Sequence, residues 1–388
     1  MMRRALPSQW QLLRHDHWLL ACLTWVPLLL AGSIWWIFSA GIAQNLPIGV
    51  VDLSHSQLSR QLVRDLDATS TLAVTRHYQN VAQAKDDLVT SDIYAYVVIP
   101  YKFDKAIYRG EQPRVTTFYN SQYILVGRLI NSAVVQVQGT LNAKIDVVKT
   151  LASGDQTTLS AMGRSVPVRT QITALFNKNT NYAQFLVSAI VPALWQIVVV
   201  VSTILILTAN YREYGLNAWL GNRPLRNLTR TLAPYYPIFV LQGGAFLVWF
   251  YTVLEWPMHG SMMVMLVAQL LTAIACMIMG AAFYFLTLDP ARAMSFAGAF
   301  TAPSFAFMGI TFPTSDMGSL AQAWRSLLPI SHYIEVQVSQ VSYGLNAAKS
   351  LAHLWPMAGY ILPLLLTVAL IRKHQRKEQA VRSAHDPA

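Results

Sequence analysis

Apolar positions are spread unevenly along this chain. One apolar run comes early, over residues 18–40. A polar block follows to about residue 180, and apolar runs then crowd the chain from Phe185 almost to its end. A bilayer core about 30 Å thick takes roughly 20 apolar residues per helix. The runs predict spans at 18–40, 183–209, 231–254, 262–288, 295–312 and 351–371. Pro27, Pro192, Pro237, Pro303 and Pro363 fall inside them. A membrane helix tolerates proline where its neighbours satisfy the freed backbone groups.

The polar block has another rhythm. Residues 47–53 (PIGVVDL) read as a strand, and 56–68 as a helix with Leu58, Leu62, Val63 and Leu66 on one face. A strand at 72–78, a helix at 81–89 and a buried strand at 93–99 (IYAYVVI) closed by Pro100 follow. A short helix at 102–108 and a strand at 115–119 complete an α/β module with a small sheet. Residues 121–152 read as one long helix, with Val126, Leu129, Ile130, Ala133, Val134, Val137, Leu141, Ile145 and Val148 at helical spacing. That stripe predicts a stalk or a face against a second copy. Residues 154–181 are polar, with Val166-Pro167-Val168 extended. The predicted fold class is membrane α-helical: six transmembrane helices plus an extracytoplasmic α/β domain with a long helical stalk.

Charge fixes the threading. Only 12% of residues are charged, about half the share of a soluble chain. The formal net charge of +11 sits largely beside the apolar runs, so topology accounts for it and nucleic acid need not. The basic flanks are Arg3, Arg4 and Arg14; then Arg212, Arg223, Arg226 and Arg230; then Arg372, Lys373, Arg376, Lys377 and Arg382. Six spans put all three on one side, the cytoplasm. The expected organisation is a cytoplasmic tail at 1–17, a first span at 18–40 and an extracytoplasmic α/β domain at 41–182. A five-helix membrane domain follows at 183–371, with a cytoplasmic coupling loop at 210–230 and an outer re-entrant stretch at 313–350, then a basic cytoplasmic tail at 372–388. The 18–40 run is long, carries Trp25, Trp35 and Trp36 and lacks a small-residue cleavage site after it, so it reads as uncleaved. Cys22 and Cys276 lie in apolar runs and read as small buried hydrophobes.

Chemistry-bearing motifs are sparse. The sequence has no G-x-x-x-x-G-K-[ST] phosphate loop. The spans hold almost no acids, with Glu255 and Asp289 at helix ends, which disfavours an ion-coupled carrier. Histidines such as His332, His353 and His374 are scattered and make no metal site, and no nucleophile arrangement is recognisable. Energy for transport would then come from another polypeptide. The loop Asn210 to Arg226 is the place to receive it. Tyr211, Tyr214, Ala218 and Trp219 line one face of a short interfacial helix, and Arg212 and Glu213 point to water or a partner. An ordinary positive-inside loop with an aromatic anchor is the plainer alternative. Between 312 and 344, Leu320, Ala323, Trp324, Leu327 and Leu328 form an apolar face, and Pro329 breaks the helix. This is either a re-entrant helix or one resting on lipid.

Arg212-Glu213-x-Gly215 followed by Pro224-Leu225 resembles the R-E-x-G segment and P-L pair of type-2 ABC transporter permeases. The order of a first helix, an outer domain opening with a strand like 46–52, and five further helices is similar too. So is the stretch from Pro313 through Trp324 to Pro329, His332 and Tyr333. The family often has an acidic residue soon after the P-L pair, where this chain has Asn227 and Thr229. The resemblance implies an exporter's membrane subunit in a bacterial inner membrane, multi-pass, with both termini cytoplasmic. Its partners would be an ABC ATPase subunit that carries the ATP, a second copy or related permease, a periplasmic adaptor protein and membrane lipid. The chain itself would bind no cofactor and catalyse no reaction, and Tyr211, Arg212, Glu213, Tyr214, Gly215, Trp219, Pro224 and Leu225 would couple it to the ATPase. A receptor or envelope scaffold whose outer domain binds a ligand is the alternative. The Met-rich and aromatic spans suit bulky apolar cargo and lipid contact equally.

Overall fold

The computed structural model describes residues 9–152, 175–177 and 181–385, with side chains to residue 380. Arg3, Arg4, the Val166-Pro167-Val168 segment and the side chain of Arg382 lie outside the described residues. Contacts divide the chain into two units: Ile42–Thr173, and Met1–Gly41 together with Ala174–Ala388. The chain enters through helices α1 (Gln9–His15), α2 (His17–Leu23) and α3 (Trp25–Phe38).

The Ile42–Thr173 unit is an α/β fold. It runs β1 (Leu46–Asp52), α4 (Gln57–Asp67), β2 (Leu72–Tyr78), α5 (Val81–Val89), β3 (Ala95–Ile99), α6 (Phe103–Tyr108), β4 (Thr116–Tyr119) and α7 (Ile124–Ala152). The strand order is β2-β1-β3-β4, with β1 parallel to β2 and β3, and β4 antiparallel to β3. Helical crossovers make the parallel pairs possible. Ser56 starts α4 with a reciprocal cap: its hydroxyl accepts from the Ser59 N–H, and Ser59 Oγ accepts from the Ser56 N–H. Alternation then sorts the sheet's two faces. Ile48, Val50, Val97 and Ile99 bury on one with Leu62 and Leu66 of α4, while Val51 and Tyr96 bury on the other with Ala84 of α5.

Helix α7 departs from the predicted stalk. Its stripe of Ile130, Ala133, Val134, Val137 and Leu141 joins the same core as β1, β3 and α4. The periodicity was real, but the unit's own sheet is what covers it, at about 1.5–3 kcal/mol per large side chain buried. This helix is also long and apolar enough to cross a membrane by length and composition, and 33% of that apolar stretch is buried. A bulge between Ile48 and Gly49 brings the Tyr78 ring over β1. A Cβ on Gly49 would stand 2.3 Å from Tyr78 Cε2, so only glycine fits without displacement. The Tyr78 hydroxyl and Arg76 both donate to Asp87 of α5.

The second unit continues with α8 (Tyr182–Tyr214), α9 (Leu216–Leu220), α10 (Pro224–Leu232) and α11 (Tyr236–Val248), which ends in a π-helical turn, Trp249–Val253. After α12 (Met262–Thr287) come α13 (Pro290–Thr301), α14 (Ser304–Phe307), α15 (Ser319–Ser326) and α16 (Pro329–Gln337), which runs into a second π-helical turn, Val338–Ser342. The unit closes with α17 (Ala347–Ala352), a 3-10 turn Trp355–Tyr360 and α18 (Ile361–His385). Besides α7, four stretches are long and apolar enough to cross a membrane singly: Tyr182–Tyr214, Tyr236–Val253, Met262–Thr287 and Ala347–Ala380. Helices α2 and α3 qualify together as a pair bent by 48°. The run 295–312, read as one continuous span, is instead broken. Helix α13 stops at Thr301, Pro303 cannot continue it, and Gly309 turns at φ +89°.

Helix α8 is the unit's central post, buried along most of its length. Helix α12 crosses it at Gly280, where a Cβ would come within 2.8 Å of the Val200 carbonyl oxygen. Pro192 lies inside α8 and Pro27 in the first turn of α3, just past the break at Thr24, and the carbonyl four residues before each meets a glutamine from elsewhere. Pro27 has no N–H to give Leu23, and Gln242 Nε2 of α11 donates to the Leu23 oxygen at 2.9 Å. Pro192 leaves the Ser188 carbonyl free, and Gln337 Nε2 of α16 donates to it at 2.7 Å.

Candidate functional site

The end of α8 builds the first candidate region. Gly215 takes φ +68°, which ends the helix after Tyr214 and starts α9. The single interfacial helix expected over 210–220 is therefore two pieces. Tyr211 and Tyr214 belong to the last turn of α8, and Tyr211 meets Tyr284 edge-on at 6.5 Å. Trp219 of α9 turns inward, 2% exposed, and its indole N–H donates to Thr231 Oγ1 at 2.8 Å. Its ring stacks on Phe285. Pro224 opens α10 at a position whose N–H has no helical partner anyway.

Bracing comes from both ends of the chain. Asn217 Nδ2 donates to Glu378 of α18 at 2.7 Å, and Gln375 Nε2 of α18 donates to the Gly221 carbonyl at 2.9 Å. Gln9 of α1 and Asn210 of α8 exchange two amide hydrogen bonds of 3.0 and 3.1 Å. The Tyr235 hydroxyl also donates to the Gln9 carbonyl. Held this way, α9 and α10 bury Leu216, Leu220 and Leu228 and leave Arg212, Glu213, Arg223, Leu225, Arg226 and Arg230 exposed. The result is a fixed ledge where four arginines, one carboxylate and one leucine face outward.

The second region is the 313–350 stretch, and it divides in two. Pro313 is exposed, and α15 lies on the surface with Leu320 85% and Leu327 55% exposed. Trp324 packs near Phe300. After Pro329 the chain turns inward, and α16 buries His332 and Tyr333 among α8 and α12 residues. Gln196 Oε1 of α8 accepts from the Ile330 N–H at 3.0 Å, satisfying one of the helix's free N-terminal groups. The stretch is thus a surface helix in one half and a buried one in the other. His332 and His353, scattered in sequence, converge on Glu335: the His332 and His353 Nδ1 atoms stand 3.9 and 3.5 Å from its carboxylate, and Arg325 pairs with it at 2.7 Å. Burial pushes the Glu335 carboxyl up, but the hydrogen bond from Arg325 and the nearby positive charges outweigh it and hold the group below its usual range. Among the described residues, no three His, Cys, Asp or Glu side chains are placed to hold a metal ion.

A family model described as ABC-2 family transporter protein matches residues 17–371. The chain belongs to the ABC-2 transporter family. No curated protein matches it. Membership makes this ABC-2 protein a multi-pass membrane component of a transporter and implies an ABC ATPase partner. Family members are membrane subunits without a nucleotide-binding site of their own.

The ABC-2 protein's ledge gathers Tyr211, Arg212, Glu213, Tyr214, Gly215, Trp219, Pro224 and Leu225 within one folded corner. Pro313, Trp324, Pro329, His332 and Tyr333 are split between a surface helix and a buried one. Sequence reasoning passed over residues that brace these regions, among them Gln9, Gln337, Gln375 and Glu378. For most of them the signal was an amide in or beside an apolar run. Such a group is costly in hydrocarbon unless bonded, so each one marks a tertiary contact.

Proposed function

We propose that this chain is the permease subunit of an ATP-driven ABC exporter, moving an apolar or amphipathic substrate such as a drug or lipid out of the cytoplasm or inner leaflet. Separate ATPase subunits supply the energy. The permease sits in a bacterial inner membrane, paired with a second copy of itself or a related permease, with both termini cytoplasmic. The broken stretch Pro290–Phe307 serves as the sixth crossing, which keeps the termini on one side. The α/β unit is extracytoplasmic, where a periplasmic adaptor protein can reach it, and α16 is a re-entrant helix of the outer leaflet. Exposed Trp18 and Trp36, 79% and 77% accessible, suit the two interfacial belts where aromatic rings settle.

One observation carries this reading. The ledge is tied at its rear to α1 and α18 and presents charged groups forward. A rigid surface of that kind passes force between subunits, whereas a loose positive-inside loop would absorb it. Arg212 and Glu213 are its charged tip. Replacing Glu213 with Lys places like charge where several kcal/mol of repulsion arise once water is excluded. Co-purification of the ATPase should drop about tenfold or more while the permease elutes as the folded species. Undiminished complex formation and export would remove the ledge from the interface.

A further inference from the structure

Helix α10 carries positive charge that its surroundings leave unbalanced. Arg226 and Arg230 stand one helical turn apart on it, a spacing that sets their Cβ atoms about 5–6 Å from each other. Arg223 occupies the N-cap, one turn before Arg226. All three are exposed, and like charges at this spacing repel. Among the described residues, no ion pair includes any of them. Glu378 of α18 is taken up by Asn217 instead, and Glu213 at the end of α8 forms no ion pair either.

The positive-inside bias accounts for a number of cations on one side, and lysine meets it as well as arginine. It accounts for neither their spacing nor their type. Between residues 210 and 232 the chain has four arginines and no lysine. The planar guanidinium fork fits two phosphate oxygens at once, which an ammonium cannot do. Position then supplies the phosphate. Pro224, Leu228, Thr231 and Leu232 bury the opposite face of α10, so the arginine face is held outward. Leu232 lies four positions before Tyr236, where a stretch able to cross a membrane begins. The helix therefore ends beside the headgroup layer, within reach of long arginine side chains.

We propose that Arg226 and Arg230, with Arg223 beside them, hold the phosphate of an anionic phospholipid in the inner leaflet. The ledge is then seated on lipid through α10, and Arg212 and Glu213 stay free for the ATPase. An acidic face on the ATPase is the other claimant for these cations, and the closeness of α10 to the Tyr236–Val253 stretch favours lipid. The proposal rests on the cytoplasmic placement of the ledge given above. Thiol accessibility at residue 377 reads that placement by itself, so the two can fail separately.

The test titrates the purified full chain, in detergent and without an ATPase, with phosphatidylglycerol, phosphatidylcholine or inorganic phosphate. Native mass spectrometry counts the adducts retained. Phosphatidylglycerol should be retained about fivefold or more above phosphatidylcholine, and inorganic phosphate should not displace it. Each basic residue near an anionic surface is worth about fivefold in binding. Arg226→Gln with Arg230→Gln should therefore lower phosphatidylglycerol retention at least about fivefold. The control is Arg292→Gln with Lys373→Gln, two exposed cations on the same side under that topology, and it should change retention less than about twofold. Equal retention of the two lipids overturns the proposal. So does retention unchanged in the folded Arg226→Gln, Arg230→Gln chain, which would leave the arginines to a protein partner. An equal fall in the control pair would reduce the effect to net charge and overturn it too, and displacement by inorganic phosphate would make this a free-anion site.

Discussion

The bond from Gln242 to the Leu23 carbonyl should exist only because Pro27 cannot make it, and that dependence is measurable. Replacing Gln242 with Met keeps the side chain's length and removes the donor. The carbonyl then sits in an apolar helix pair with no partner. Interhelical hydrogen bonds in membranes average about 0.6 kcal/mol and reach about 1.7, and a stranded carbonyl pushes toward the upper end, so the expected loss is about 1–2 kcal/mol. In a Pro27→Ala background a backbone N–H becomes available to the same carbonyl. There the Gln242→Met substitution should cost under about 0.5 kcal/mol, giving a coupling of about 1 kcal/mol in the double-mutant cycle. Gln242 Oε1 is itself buried without a partner, which offsets part of the loss. That offset is common to both backgrounds and cancels in the cycle. SDS titration of the purified chain in mixed micelles, followed by circular dichroism, supplies the four free energies. Equal costs of Gln242→Met in the Pro27 chain and in the Pro27→Ala chain would refute the reasoning.

Three further outcomes follow from the same structure. Gly49→Ala should destabilise the α/β unit by about 1–3 kcal/mol, because its Cβ would press on the Tyr78 ring; hydrogen exchange of β1 and β2 in the full chain reads this, and unchanged protection would count against the bulge geometry. The Glu335 carboxyl lies below its ordinary value in the folded chain. Its contribution is therefore present above the unfolded carboxylate value, about 4.3, and lost as pH falls through the folded one; wild type should melt above Glu335→Gln at about pH 7, and the gap should close below about pH 4. A gap that widens in acid would reverse the assignment. Single cysteines at Ser121 and at Lys377, in a background lacking Cys22 and Cys276, should differ in sealed spheroplasts. The first should react with an impermeant thiol reagent, and the second only after lysis; a reactive residue 377 would mean an odd number of crossings.

Legibility varied with what the sequence encodes locally. The α/β unit was readable almost element by element, because alternation, the Ser56 cap and Pro100 are local signals. The 121–152 stripe was equally visible, but a stripe states that something covers it and not what. The broken 295–312 run shows the converse error. Hydropathy there is continuous, while Pro303 and the positive φ of Gly309 decide the backbone. Within the ledge, Gly215 ended α8 where an uninterrupted amphipathic pattern suggested a separate helix. The partners of Asn217 and Asn210 lie 161 and 201 positions away, and no local pattern reveals a pairing at that range.

The two proline–glutamine pairs also set a timetable for making the protein. Leu23 and Gln242 are 219 positions apart, and Ser188 and Gln337 are 149 apart. At about 5–20 residues per second of synthesis, the first carbonyl waits roughly 10–45 s for its donor. Through that interval the first helix carries an exposed acceptor that hydrocarbon will not tolerate. It must stay near water, or against the insertion machinery, until α11 emerges. Insertion of the first span is therefore completed late, by a residue the ribosome has yet to translate, and faults at Gln242 should reduce the amount of membrane-inserted protein even where the finished fold survives.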